Sequence, residues 1–136
     1  MDHRQKFNII FFSSDVNHWK RSMVEATPTF RQNALDFVNE MSPQGATNIY
    51  DAVKFAFKDP GLRTLYLLTD GMPTMGEKID PRDIRKDLND WNSSKNVKIH
   101  TTAFLTGGEN NSEQRRAKRF MRRIARQNDG IFRAID

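Results

Sequence analysis

Short apolar runs alternating with stretches of helical periodicity narrow the architectures open to this chain. Residues 7–12 (FNIIFF) and 64–69 (TLYLLT) are apolar nearly throughout, the pattern of strands buried on both faces in a parallel sheet. Residues 97–104 and 131–135 read as further strands, and 19–24 as a weaker, more polar edge strand. Helical spacing fills the intervals. Thr27-Pro28 offers an N-cap and a first-turn proline, and Phe30, Ala34, Phe37, Val38 and Met41 follow before Ser42-Pro43-Gln44-Gly45 stops the helix. A second helix opens after Thr47, with Ile49, Ala52, Val53, Ala56 and Phe57 on one face, and ends at Asp59-Pro60-Gly61. Asp80-Pro81 caps a third helix, whose stripe is Ile84, Leu88 and Trp91. A fourth carries Phe120, Met121, Ile124 and Ala125. Strand–helix alternation predicts an α/β fold with a mostly parallel sheet and helices on its faces. At 136 residues without repeat or linker, residues 1–136 form one domain, from strand 7–12 to strand 131–135.

No apolar run approaches the ~20 residues that cross a bilayer, so no membrane insertion is expected. The segment after the N-terminal MDHRQK lacks a signal-peptide pattern, which implies the cytoplasm if Met1 is the true start. The absence of cysteine excludes disulfides and thiolate metal sites. Most of the net charge of +5 comes from Arg115, Arg116, Lys118, Arg119, Arg122, Arg123 and Arg126, on the fourth helix. Its narrow apolar stripe leaves a wide arginine face. That face is solvated, or a surface for an acidic partner, or one for nucleic acid or anionic lipid. No aromatic residues interleave with the arginines, which weakens the case for nucleic acid.

In an open parallel sheet, ligands bind outside the carboxyl ends of the strands. Two loops there carry hard oxygens: 45–52 (GATNIYDA), with Thr47 and Asp51, and 67–71 (LLTDG), with Asp70. Hydroxyl and carboxylate oxygens with water suit magnesium or manganese. Plain structural roles also fit: an N-cap for Thr47, a turn position for Asp70, a first-turn acid for Asp51. His3, His18 and His100 have no spaced partners, and Trp91 reads as core. No nucleophile–base–orienter set can be assembled, so the chain reads as not an enzyme. A phospho-receiver reading of Asp70-Gly71-Met72-Pro73 fails, because the loop is one residue short and the acidic pair and lysine are missing.

GATNIYDA followed one helix later by LLTDG resembles the second and third metal-site loops of von Willebrand factor type A (vWA) domains. FNIIFFSSDV resembles the family's second strand, especially in the inter-alpha-trypsin-inhibitor heavy-chain-like branch, and IARQNDGIFRAID its last helix and strand. The resemblance covers roughly residues 6–136. It implies a Rossmann-like fold, N-terminally incomplete, that begins at the second strand. It also implies a metal-ion-dependent adhesion site with Thr47 and Asp70 as ligands and Asp51 as outer support. The family's D-x-S-x-S loop, which supplies the other ligands, has no counterpart after any aspartate here. The implied function is protein binding through a partner carboxylate on Mg²⁺ or Mn²⁺, with weak metal affinity in this chain alone. The alternative is binding of an acidic surface or nucleic acid through helix 115–126. The resembled first strand lies mid-sheet, between strands 7–12 and 64–69. Its absence implies that these two strands close up, or that a homo-oligomer or another polypeptide fills the place, with part of one sheet face uncovered.

Overall fold

The structure is a computed structural model that describes residues 4–42, 45–104 and 111–135. The first apolar run forms two short strands, β1 (Lys6–Phe7) and β2 (Ile10–Phe12), rather than one. Asn8 breaks it. Its carboxamide accepts from Ile9 N and Lys20 N and donates to Lys20 O at 2.7 Å, so a side chain takes the place of a ladder rung. β2 pairs antiparallel with β3 (Val16–His18), and β1 with β4 (Val24–Glu25). The expected edge strand 19–24 is absent as such. Trp19 packs instead against Phe7 at 5.2 Å and edge-on against Phe30 at 6.0 Å. Residues 7–12 are half-buried, not buried on both faces, because β2 has a hydrogen-bonded neighbour on one edge only among the described residues.

The helices start where their caps place them. Thr27 accepts from Phe30 N to open α1 (Pro28–Glu40), and Asn48 accepts from Asp51 N to open α2 (Ile49–Phe57). β5 (Thr64–Thr69) follows, then α3 (Pro81–Asn92), capped by Asp80. After β6 (Lys98–Phe104) comes α4 (Ser112–Gln127), capped by Asn111, and then β7 (Phe132–Ile135). The expected polar loop 106–111 lies, but for Asn111, outside the described residues.

β5, β6 and β7 form a parallel sheet in that order, with Leu65 opposite Ile99 and Thr101 opposite Phe132. Their Leu65, Leu67, Ile99 and Phe132 face joins α2, α3 and α4 in one core around Ile49, Val53, Ile84, Leu88, Met121 and Ile124. Side chains of this size contribute roughly 1.5–3 kcal/mol each when fully buried. The buried Thr101 hydroxyl donates to Met121 O at 2.8 Å, so no polar atom is stranded where α4 meets β6. Trp91 packs on Tyr50 and Phe57, as a core position predicts.

The opposite face differs from expectation. Tyr66 is 69% exposed and Leu68 50% exposed, so TLYLLT is buried on one side only. Nor do β2 and β5 close up. Among the described residues, β5 pairs with β6 alone. Alternate residues of β5 are open to water, and an unpaired strand edge that water reaches costs far less than a dry one.

A polar cluster ties α2 to α3. The Asp87 carboxylate accepts from Lys78 Nζ at 2.6 Å and from Tyr50 Oη at 2.7 Å. These bonds, Lys78 first, hold its pKa below the ordinary carboxylate range, while burial and then the bond to Asp87 push the Tyr50 hydroxyl upward. A lowered folded-state pKa gives stability that is present above the unfolded value and lost as pH falls through the folded one. Asp87→Ala is therefore expected to cost about 1–3 kcal/mol at neutral pH, the worth of a charge-assisted hydrogen bond. The difference from the parent chain should shrink below about pH 4, where the free carboxyl protonates. Thermal melts from neutral to strongly acidic pH check this, and a gap independent of pH would refute it.

Candidate functional site

The segment before α2 is bonded both to the turn that leaves β2 and to residues 74–77, which follow the loop that leaves β5. Asn48 N donates to Ser13 O at 3.1 Å, joining the segment before α2 to the turn after β2. Thr47 is held by its backbone on both sides: its N–H donates to Thr74 Oγ1 at 2.9 Å, and its carbonyl accepts from Thr74 N and Met75 N. Asn48 rather than Thr47 is the helix cap. Backbone clamping leaves the Thr47 side chain half-buried, with its hydroxyl unengaged among the described residues.

Thr69 ends β5 and bends the chain through its hydroxyl, which accepts from Gly71 N and donates to Gly71 O, both at 3.3 Å. Asp70 lies exposed on that bend, with no carboxylate partner among the described residues. Asp51 is differently placed. Its carboxylate accepts from Asn48 Nδ2 at 2.9 Å and Glu77 N at 3.3 Å, so it braces the two loops against each other. Gly76 is needed at this seam. It has φ of +116°, and a Cβ there would sit 2.2 Å from Asn48 Oδ1.

Thr47 and Asp70 are hard oxygen donors of the kind magnesium takes, but near-octahedral coordination wants about six. No cluster of three or more His, Cys, Asp or Glu side chains suited to a metal occurs among the described residues. Two such side chains fall short of a complete magnesium site.

The arginine face of α4 resolves into separate sides. Arg116, Arg119 and Arg123 line a cleft against α3, Arg122 lies over the Phe132 ring at 5.1 Å, and Arg115 and Arg126 are exposed. Arg82 and Arg85 of α3 line the same cleft. In the sequence they are marked only by the helical face that 82, 85, 86 and 89 share. His18 stacks on Phe55, and His100 stacks on Tyr66 and accepts from Ile131 N, so both have packing roles.

The model of the von Willebrand factor type A domain family matches residues 1–134. The chain belongs to this family. Human von Willebrand factor A domain-containing protein 3A is 30% identical over 119 residues, covering 88% of this chain and 9% of that protein. Mouse inter alpha-trypsin inhibitor, heavy chain 4 is 32% identical over 101 residues, covering 63% of the chain and 11% of that protein. The chain thus spans about a tenth of the length of these relatives. A solved von Willebrand factor type A structure from Catenulispora acidiphila superposes with TM-score 0.78 at 15% identity, over all of this chain and 31% of that one. Proximal thread matrix protein 1 of the mussel byssus superposes with TM-score 0.61 at 17% identity, over 95% of this chain and 30% of that one. The Catenulispora acidiphila structure, at its low identity, establishes the fold alone: that of a vWA domain, α/β and Rossmann-like. vWA domains commonly serve in protein interaction. No helix among the described residues is long and apolar enough to cross a membrane.

Proposed function

We propose that this vWA domain is a non-catalytic protein-binding module that meets its partner at the carboxyl ends of β2 and β5. Thr47 and Asp70 would form part of a metal-ion-dependent adhesion site, with Asp51 as its brace. The observation that carries this reading is the pairing of a rigid setting with idle donors. Three loops are stitched together by backbone hydrogen bonds, while the Thr47 hydroxyl and Asp70 carboxylate are left unengaged among the described residues. Packing alone would not require that combination. Mg²⁺ or Mn²⁺ held there by two protein oxygens and water would keep positions open for a partner's carboxylate.

With so few protein ligands, affinity in this chain alone is expected to be millimolar or weaker. Titration with Mn²⁺, read as paramagnetic broadening of amide resonances, tests it. Broadening should begin around Thr47 and Asp70 at millimolar metal, and each of Thr47→Ala and Asp70→Ala should weaken it. By reciprocal linkage, a carboxylate-bearing peptide should tighten the apparent Mn²⁺ affinity in the parent chain and not in Asp70→Ala. Broadening centred elsewhere, or micromolar affinity, would overturn the partial site.

Self-association belongs to the same proposal. The edge of β5, unpaired among the described residues, and the exposed Tyr66 and Leu68 beside it suit a second copy of this chain, joined about a two-fold axis.

A further inference from the structure

Between α3 and α4 opens a cleft of about 760 Å³. It runs on into a second hollow of about 360 Å³ through Arg82 and Arg85, which line both. Five guanidinium groups edge the first: Arg82 and Arg85 on one wall, Arg116, Arg119 and Arg123 on the other. Among the described residues the acidic side chain lining it is Asp80, whose carboxylate caps α3 at Arg82 N, 2.8 Å away, and stands 3.9 Å from Arg82 Nε, a long, exposed pairing. Among the described residues, no carboxylate pairs with Arg116, Arg119 or Arg123. The charge on α3 is segregated. Asp87 turns to Lys78 and Tyr50 on the far flank, with Asp83 and Asp90 at helical spacing from it, while the arginines face α4.

Like charges gathered in a concave site repel one another and concentrate anions. Guanidinium forks match carboxylates in two-point geometry. The floor narrows the choice of anion. Met72, Ile79 and Phe120 line the cleft between the arginine walls, and Ile79 is 52% exposed. A phosphate backbone gains nothing from that apolar ground, and a single strand would need an exposed ring to stack on, whereas Phe120 is 3% exposed. From Arg116 to Arg123 the wall rises about 10 Å along the helix, the length of about three extended residues.

We propose that the α3–α4 cleft binds a short acidic segment of a partner protein, its carboxylates on the two arginine walls and an apolar side chain between them on the Met72, Ile79 and Phe120 floor. This site is independent of Thr47, Asp70 and any metal. Fluorescence anisotropy with a labelled pentapeptide, four acidic residues around a central leucine, tests it in the presence of EDTA. Saturable binding is expected, weakened about tenfold or more by Arg116→Glu/Arg119→Glu/Arg123→Glu, as loss of desolvated charge pairs should be. Arg82→Glu/Arg85→Glu, on the opposite wall, should weaken it comparably and serves as the second variant if the first misfolds. Serine for the central leucine should weaken binding about fivefold, since an apolar anchor is lost. Circular dichroism and melting temperature should hardly move, because exposed charges contribute little to stability. Undiminished affinity in a folded variant, loss of binding on chelation, or equal affinity for an oligonucleotide of the same charge would each overturn the proposal. The last outcome would make the cleft a general polyanion site.

Discussion

Gly130→Ala is expected to be among the most destabilising single substitutions in this domain. A Cβ at that position would stand 1.7 Å from Ile99 O, 2.4 Å from its carbonyl carbon and 3.0 Å from His100 N. Those atoms are backbone of the central strand, so no rotamer change relieves the overlap. The turn cannot easily retreat either. Ile99 N donates to Asn128 O at 3.1 Å and Thr101 N to Ile131 O at 3.0 Å, lacing the chain onto β6 on both sides of the glycine. Gly130 N also donates to Ala125 O at 2.8 Å, which ties the turn to the end of α4. Separating the backbones would break several of these bonds and disturb the Ile99 and Ile124 packing beneath them. A loss of about 3–5 kcal/mol follows, in the range of severe core lesions, against a total of about 5–15 kcal/mol for a typical domain. Urea denaturation measures it. Gly71→Ala is the control, since a Cβ there meets nothing within 4 Å, and it should shift stability by less than about 1 kcal/mol. A midpoint for Gly130→Ala equal to that of Gly71→Ala would show that the turn relaxes freely.

The second large effect is association. Among the described residues the sheet ends at β5, which presents an edge of backbone donors and acceptors beside Tyr66 and Leu68, 69% and 50% exposed. Ile135 extends the same face at the far side of the sheet, opposite Phe104 in register. Exposed, apolar strand edges of this kind pair with other chains unless they are blunted by charge or proline, and β5 contains neither. The 15.8 kDa chain is expected to scatter light as a dimer at tens of micromolar and to dissociate on dilution. Leu68→Lys should weaken the dimer by about tenfold or more, because the charge falls where the apolar face must dehydrate. A compact monomer at these concentrations that unfolds cooperatively would exclude the dimer and show that a hydrated edge suffices. The two predictions are separable, because Gly130 lies at the turn into β7 and Leu68 on the strand at the other edge of the sheet.

Several features were legible in the chain itself. The caps Thr27 and Asp80, each followed by proline, fix the starts of α1 and α3, because capping is settled among residues two or three apart. Apolar spacing gives the buried stripes of α2 and α4. Strand–helix alternation gives the parallel direction of β5, β6 and β7, and with it the carboxyl end of β5, which Asp70 follows; their order in the sheet comes from the structure. Other features required distant partners. That Asn8 would break an apolar strand depends on Lys20. The clamp on Thr47 comes from Thr74, 27 residues on, and the brace on Glu77 from Asp51, 26 residues back. The arginines of α4 acquire a cleft only because α3 presents its own basic face to them. The burial of TLYLLT shows the difference most clearly. Apolar residues on both sides of a strand record a capacity for burial on both sides. Whether Tyr66 and Leu68 are covered depends on there being a layer to cover them, and that is a property of the assembled sheet, not of the six residues.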